Sequence, residues 1–372
     1  MAAKSDSSRQ IDALTGVRGF AALWVAAFHG SGTLFANPRL PVALANFIHS
    51  GWLAVDLFFV LSGFVISYAH LDEFAAPSLA RIGRFLKLRI ARIYPAHLVV
   101  ALLWVPIVAV AWLSGRSLSG GLAHNFNLRT FLYAVTLTNG WGLPLSQGWN
   151  LPTWSVGSEW FAYLTFPLLA WRLQKVPAPA SQIACAAITL LFTTGLALFV
   201  NHGSQYMLPE SFTLVRVVSE FFIGCCVYGV FRRRRSTWRV AWIPWTGILG
   251  SLALACSGRH GLVDGLFILL FGLVVLGLGV TTAGILVRSL ACAPAVHLGK
   301  ISYSIYLVHG MVIVLLREVP GLLTGWGGAH PQLVWPIYLL AVVIAGHVLY
   351  RSVEEPARRY LRARWVDRSA TG

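Results

Sequence analysis

Ten apolar runs of about twenty residues occupy most of this chain, near 14–35, 51–70, 94–114, 154–173, 182–200, 213–231, 240–256, 264–284, 300–317 and 333–351. A helix rises about 1.5 Å per residue, so roughly 20 apolar residues cross a hydrocarbon core about 30 Å thick. One aqueous core cannot bury ten such segments. Lipid can, because a helix satisfies its own backbone polar groups. The runs predict an all-α integral membrane protein of about ten transmembrane helices, organised as a single domain over residues 1–372. Composition agrees: 57% of residues are hydrophobic and 11% are charged, against about 25% charged in soluble proteins. The 15 Trp, 21 Phe and 11 Tyr suit two interfacial belts.

The formal net charge of +16 does not point to nucleic acid. The cations sit in short clusters between apolar runs, and the positive-inside rule accounts for them. With both termini in the cytosol, the inner segments hold 22 of the 29 Lys and Arg residues and the outer segments hold five. The two that remain, Arg18 and Arg216, fall within spans. This alternation predicts a multi-pass protein of the cytoplasmic (inner) membrane with both ends inside. Met1 to Arg9 form a polar opening without an apolar h-region, so no cleavable signal peptide is expected. The five cysteines lie in or beside apolar runs and read as small buried hydrophobes. None has zinc-like spacing, and no metal set is expected. No internal repeat is evident, which weakens an inverted-repeat transporter. In the longest outer loop, 115–153, the run Thr130 to Gly142 is too short and polar to span. It is expected to lie in the interface or to re-enter and cap a cavity.

Ionisable groups inside spans are costly and mark function or pairing. Arg18 and His29 lie eleven residues apart on the first span. That is close to three helical turns, so they share one face, roughly 16 Å apart along the axis. Arg18 can snorkel while His29 bonds a neighbouring helix. A cation at the entrance and an imidazole deeper in also suit an anionic donor and a general base. Asp56 stands as an isolated acid in F-F-V-L-S-G-F's span, and Ser62-Gly63 allows close helix approach or a local break. Arg89 and Arg92 face one way at i, i+3. They are topogenic, and a guanidinium pair also suits phosphates. Glu159 lies just inside the fourth span and needs a partner. Arg216 and Glu220 form a self-neutralising i, i+4 pair. Ser302, Tyr306 and His309 make one polar stripe, which lines a cavity or another helix. The chain has no G-x-S-x-G elbow, Walker loop or nicotinamide fingerprint. Acid–base chemistry and binding remain, and these residues alone leave enzyme and proton-coupled transporter or flippase both open.

Six strings in order resemble the motifs of the acyltransferase-3 family of integral membrane O-acyltransferases, from Ile11 to Arg359. They are I-D-A-L-T-G-V-R-G-F-A-A-L-W-V-A-A-F-H (Ile11 to His29), G-W-L-A-V-D-L-F-F-V-L-S-G-F (Gly51 to Phe64) and R-I-A-R-I-Y-P (Arg89 to Pro95). The others are W-S-V-G-S-E-W-F-A-Y (Trp154 to Tyr163), S-Y-S-I-Y-L-V-H (Ser302 to His309) and E-E-P-A-R-R (Glu354 to Arg359). The resemblance implies a ten-helix membrane fold that takes acyl-CoA, acetyl by default, from the cytosol. The acceptor it implies is a hydroxyl of a carbohydrate or glycolipid, reached from the other side: exopolysaccharide, lipopolysaccharide, oligosaccharide or a small glycosylated metabolite. Polysaccharide-biosynthesis proteins are the partners it suggests, and no nucleic acid. By matched position His29 is the catalytic histidine and Arg18 its motif partner. Arg89 and Arg92 bind donor phosphates. Ser62 and Tyr306 are placed with them as donor-binding residues, and Glu159 is a catalytic residue orienting His29 or the acceptor. Some members add an SGNH-type domain after the tenth helix, and this sequence carries none.

Overall fold

A computed structural model describes residues 6–34, 40–115, 126–143, 148–176, 178–201, 210–234, 241–317 and 331–367. Lys4, Arg39, Arg116, Arg235, Arg239 and Arg368 of the charge pattern lie outside the described residues. The elements are helical: α1 (Asp6–Leu34), α2 (Val42–His49), α3 (Ala54–His70), α4 (Leu79–Leu113), α5 (Leu128–Val135), α6 (Trp154–Gln174) and α7 (Pro179–Val200). There follow α8 (Thr213–Arg234), α9 (Trp242–Ser257), α10 (Asp264–Val280), α11 (Ile285–Leu290), α12 (Ala293–Arg317), α13 (Pro331–Leu349) and α14 (Glu355–Arg362). No strand occurs among the described residues. This is an all-α integral membrane protein. Seven segments are long and apolar enough to cross a membrane: Ile11–Ser31, Val42–Phe74, Leu79–Leu113, Pro179–Val200, Thr213–Arg233, Ala293–Arg317 and Leu333–Trp365. The other three expected spans are also helices, at the expected places. α9 and α10 are apolar but have only 16 and 17 residues. α6 has 21 residues and carries Ser155, Ser158 and Glu159 on its first turns.

Two helices run past their expected ends. The apolar run from 94 begins well inside α4, which starts at Leu79 behind the N-cap Ser78, whose Oγ accepts the Arg81 N–H at 3.3 Å. Its 35 residues span roughly 52 Å, against about 30 Å of hydrocarbon. The basic segment of Arg81 to Arg92 is therefore the extramembrane end of the same helix, and Pro95 interrupts nothing but its own hydrogen bond. The last run likewise continues from α13 through a π-helical stretch, Tyr350–Glu354, into α14. Hydropathy marks where a helix leaves lipid, not where it ends.

The chain divides into two compact units. Unit 1 comprises 1–76, 167–208 and 215–302, and unit 2 comprises 77–166, 209–214 and 303–372. In unit 1 the α3–α8 crossing is backbone on backbone. A Cβ at Gly63 would collide with the Phe221 carbonyl, and one at Gly224 with the Val60 carbonyl. Small residues permit this approach where lipid offers no hydrophobic drive between helices. Ser62-Gly63 thus serves close packing, and α3 passes through unbroken. In unit 2, Tyr303 Oη donates to the Ile93 carbonyl at 2.7 Å, tying α12 to α4.

Candidate functional site

In unit 1, α1 presents the expected pair. His29 is half-buried, its ring edge-on to Phe28 at 5.0 Å. Its Nδ1 lies 3.0 Å from the Val25 carbonyl oxygen one turn back. A carbonyl only accepts, so Nδ1 carries the hydrogen, and in the neutral ring the lone pair sits on Nε2. Arg18 makes no hydrogen bond or ion pair with another described residue. Among the described residues it is the sole charged group on a cavity near 70 Å³ in volume, otherwise lined mainly by Leu14, Phe64, Tyr68, Phe231 and Gly279. His29 and Ser62 do not line it. Ser62 is half-buried on α3.

Asp56, read from the sequence as an isolated acid, is fully buried and paired with Arg216 of α8. Arg216 Nε also lies 3.2 Å from Glu220 Oε1, and its guanidinium stands 5.7 Å from the Trp52 ring centroid. The lone acid and the i, i+4 pair are one cluster joining α3 to α8. One guanidinium between the two carboxylates offsets one of their charges, which lowers the cost of burying an acid there.

Unit 2 holds Arg89, Arg92, Glu159 and Tyr306. Arg89 lies over the rings of Phe85 (5.6 Å) and Tyr163 (5.9 Å). Tyr163 Oη donates to Glu159 Oε1 at 2.5 Å. The structure thus brings Arg89 and Glu159 into one group through a tyrosine one turn along α6. Arg92 is ion-paired with Glu354, which is 1% exposed and accepts the Ser304 hydroxyl at 2.6 Å. The Arg92 guanidinium also stands 5.5 Å from the Tyr303 ring centroid. Glu354 closes the π-helical stretch; such an extra-residue turn re-aims side chains and often marks functional sites. Glu354 lies in the E-E-P-A-R-R string, to which the sequence assigns no role. The signal that marks it is an acidic pair at the end of an apolar run in an otherwise basic stretch.

Tyr306 is turned toward the start of α6: its hydroxyl donates to the Pro152 carbonyl at 2.8 Å and lies 2.6 Å from Ser155 Oγ. His309 Nδ1 sits 2.6 Å from the Tyr306 carbonyl oxygen. Asn150, 2% exposed, donates from Nδ2 to the Leu307 carbonyl at 2.8 Å. So the polar stripe on α12 meets another segment of chain. The run Thr130 to Gly142, which includes most of α5, is bonded to the start of α6. Asn139 Nδ2 donates to Thr153 Oγ1 at 2.7 Å and Trp141 Nε1 to the Gly157 carbonyl at 2.9 Å. Three non-glycine residues here have positive φ: Leu137 (56°), Trp149 (53°) and Asn150 (110°). Strained backbone of this kind persists only where surroundings over-determine it, and it gathers at functional sites.

A many-helix membrane fold with an imidazole on one span, an arginine lining a cavity and arginines near the end of another helix defines the class: a polytopic membrane protein. The chain belongs to the acyltransferase-3 family of integral membrane O-acyltransferases, since residues 11–351 match its acyltransferase domain model. It is similar to acyltransferase MdmB of Streptomyces mycarofaciens, 30% identical over 396 residues, covering 95% of this chain and 93% of the relative. It is also similar to O-acetyltransferase OatA of Staphylococcus aureus, 23% identical over 375 residues. That match covers 96% of this chain and 58% of the relative, so the chain spans a little over half the length of OatA. No solved structure matches the chain.

Proposed function

We propose that this acyltransferase moves a short acyl group, acetyl in the first instance, from acyl-CoA to a carbohydrate hydroxyl. The acceptor is a saccharide of the cell envelope or a small glycosylated metabolite, and the protein works in the cytoplasmic membrane, alone or beside polysaccharide-biosynthesis proteins. The observation that carries the chemistry is the His29 tautomer. With Nδ1–H held on the Val25 carbonyl, Nε2 is the basic nitrogen. It takes the acceptor hydroxyl's proton, the oxygen attacks the thioester carbonyl, the carbon–sulfur bond breaks, and the proton passes from Nε2 to the departing thiolate. The same lone pair can attack the thioester carbonyl and expel the CoA thiolate, giving an acyl-imidazole whose carbon–nitrogen bond the acceptor hydroxyl then breaks as its proton is released.

Arg18 supports an anionic donor, since no described side chain neutralises it. Arg89, held by its face on two aromatic rings, and Arg92, held at one edge by Glu354, are the proposed phosphate ligands. A guanidinium carries five N–H donors in a planar fork, a geometry that suits phosphate oxygens. Glu159 sets Tyr163 and through it Arg89. The acetyl assignment draws on the name of the OatA relative.

The test is turnover of radiolabelled acetyl-CoA by membranes containing the native chain or His29→Ala. Label entering a saccharide fraction, and lost in the variant, supports the proposal. Folded native protein that transfers no label from any acyl-CoA to any envelope glycan refutes it.

A further inference from the structure

At the end of unit 1 that the charge pattern assigns to the outer face, the α9–α10 turn meets the end of α2. His260 in that turn is held at both nitrogens. Nδ1 lies 3.1 Å from Asp264 Oδ1, and Nε2 lies 3.3 Å from Ser50 Oγ. Asp264 is 3% exposed, and its other oxygen accepts the Gly261 N–H at 2.9 Å. A carboxylate on Nδ1 fixes that nitrogen as the donor and leaves Nε2 as the acceptor. The partner on Nε2 is exchangeable. Ser50 Oγ is also 2.9 Å from the Asn46 carbonyl, so a hydroxyl rotation alone moves the Ser50 hydrogen to Asn46. The imidazole can then accept a bond from an incoming hydroxyl. The His260 side chain is 27% exposed, enough for a ligand to reach.

Rings surround this acceptor. His49, exposed, lies 6.3 Å from His260, and Trp52 lies 6.0 Å from it, tilted by 45°. Phe28 touches His49 at 5.9 Å and His29 at 5.0 Å, so the cluster is continuous with the proposed base. The turn is pinned by Asn46 Nδ2 on the Cys256 carbonyl at 3.1 Å. This mixture selects its ligand. Flat rings offer faces to the C–H side of a pyranose, and Nε2 and the imidazole of His49 offer bonds to its hydroxyls. A lipid chain would leave the polar nitrogens unmatched. The Asp264 carboxylate behind His260 disfavours an anion.

We propose that His49, Trp52 and His260, backed by Asp264 and Ser50, bind the acceptor sugar, taking a pyranose ring with free hydroxyls. This rests on the reading that the acceptor is a carbohydrate. It makes the site a positioning element for the acceptor and leaves acid–base chemistry to His29. The experiment uses the full-length protein in nanodiscs with labelled acetyl-CoA and methyl glucoside, methyl mannoside and methyl rhamnoside as acceptors. With the glycoside that accepts label best, His49→Ala and His260→Gln should each raise its KM at least fivefold while the acetyl-CoA KM moves less than twofold. A glycoside KM within twofold of native in both variants, or both KM values rising together, overturns the proposal. A second measurement separates it from the acyl-transfer reading: modification of histidines by diethyl pyrocarbonate, mapped by mass spectrometry. Saturating methyl glycoside should slow modification of His49 and His260 at least threefold even if no label is transferred. If none of the three glycosides protects either histidine, the inference fails whatever the enzyme's turnover.

Discussion

Arg92 and Glu354 offer a quantitative test of how unit 2 is held. Glu354 is 1% exposed and, among the described residues, keeps only the Ser304 hydroxyl if Arg92 is removed, whereas the Arg92 side chain is 18% exposed and can still reach water. Deleting one partner of a buried pair destabilises by roughly 3–5 kcal/mol, and replacing both by apolar groups of similar volume is often near neutral. Arg92→Met should therefore lose about 3–5 kcal/mol, Glu354→Leu somewhat less, and the double variant only about 1 kcal/mol, from the orphaned Ser304 hydroxyl. The coupling energy in this cycle is then at least about 2 kcal/mol, within the range for residues in contact. Reversible unfolding in mixed micelles, titrated with SDS and followed by tryptophan fluorescence, measures all four proteins. A coupling below about 0.5 kcal/mol, the scatter of independent sites, would refute the argument that this pair ties the end of α13 to α4.

Other expectations follow from single contacts. Gly63→Ala places a methyl against the Phe221 carbonyl and should destabilise by about 1–3 kcal/mol; unchanged SDS unfolding would contradict the close α3–α8 approach. Asn150→Gly should be less harmful than Asn150→Ala by about 1 kcal/mol, because both lose the Leu307 bond but only alanine keeps the strain at φ 110°; the opposite order of melting temperatures excludes strain there. Arg18→Ala should raise the acetyl-CoA KM about tenfold or more and Arg18→Lys less, since lysine restores the charge but not the fork; equal KM values for native and alanine proteins exclude a donor role.

Much of this molecule was written in its sequence. Apolar runs longer than a bilayer is thick force helices, because no other local structure satisfies the backbone in lipid. The Arg18–His29 spacing and the Arg89–Arg92 spacing are helical facts that need no partner, and the resemblance carried by the six strings was borne out by the family match over residues 11–351. Boundaries were less legible where lipid is left behind: α4 begins fifteen residues before its apolar run, since a helix propagates through charged residues once it is in water.

Partner choice is where the sequence fell silent. Asp56 looked isolated, and only packing of α8 on α3 shows Arg216 meeting it. Glu159 needed a partner, and Tyr163 supplies it from the same helix, yet the link to Arg89 depends on α4 and α6 packing together. The Arg92–Glu354 pair spans most of the chain, and the Ser50–His260–Asp264 relay joins segments more than two hundred residues apart. The sequence by itself determined the solvent, the helical class and the chemical types available, because these depend on local composition and on periods of a few residues. Which charge on one helix meets a charge on another, only the tertiary structure decided, because that is set by the neighbour that folding places within reach.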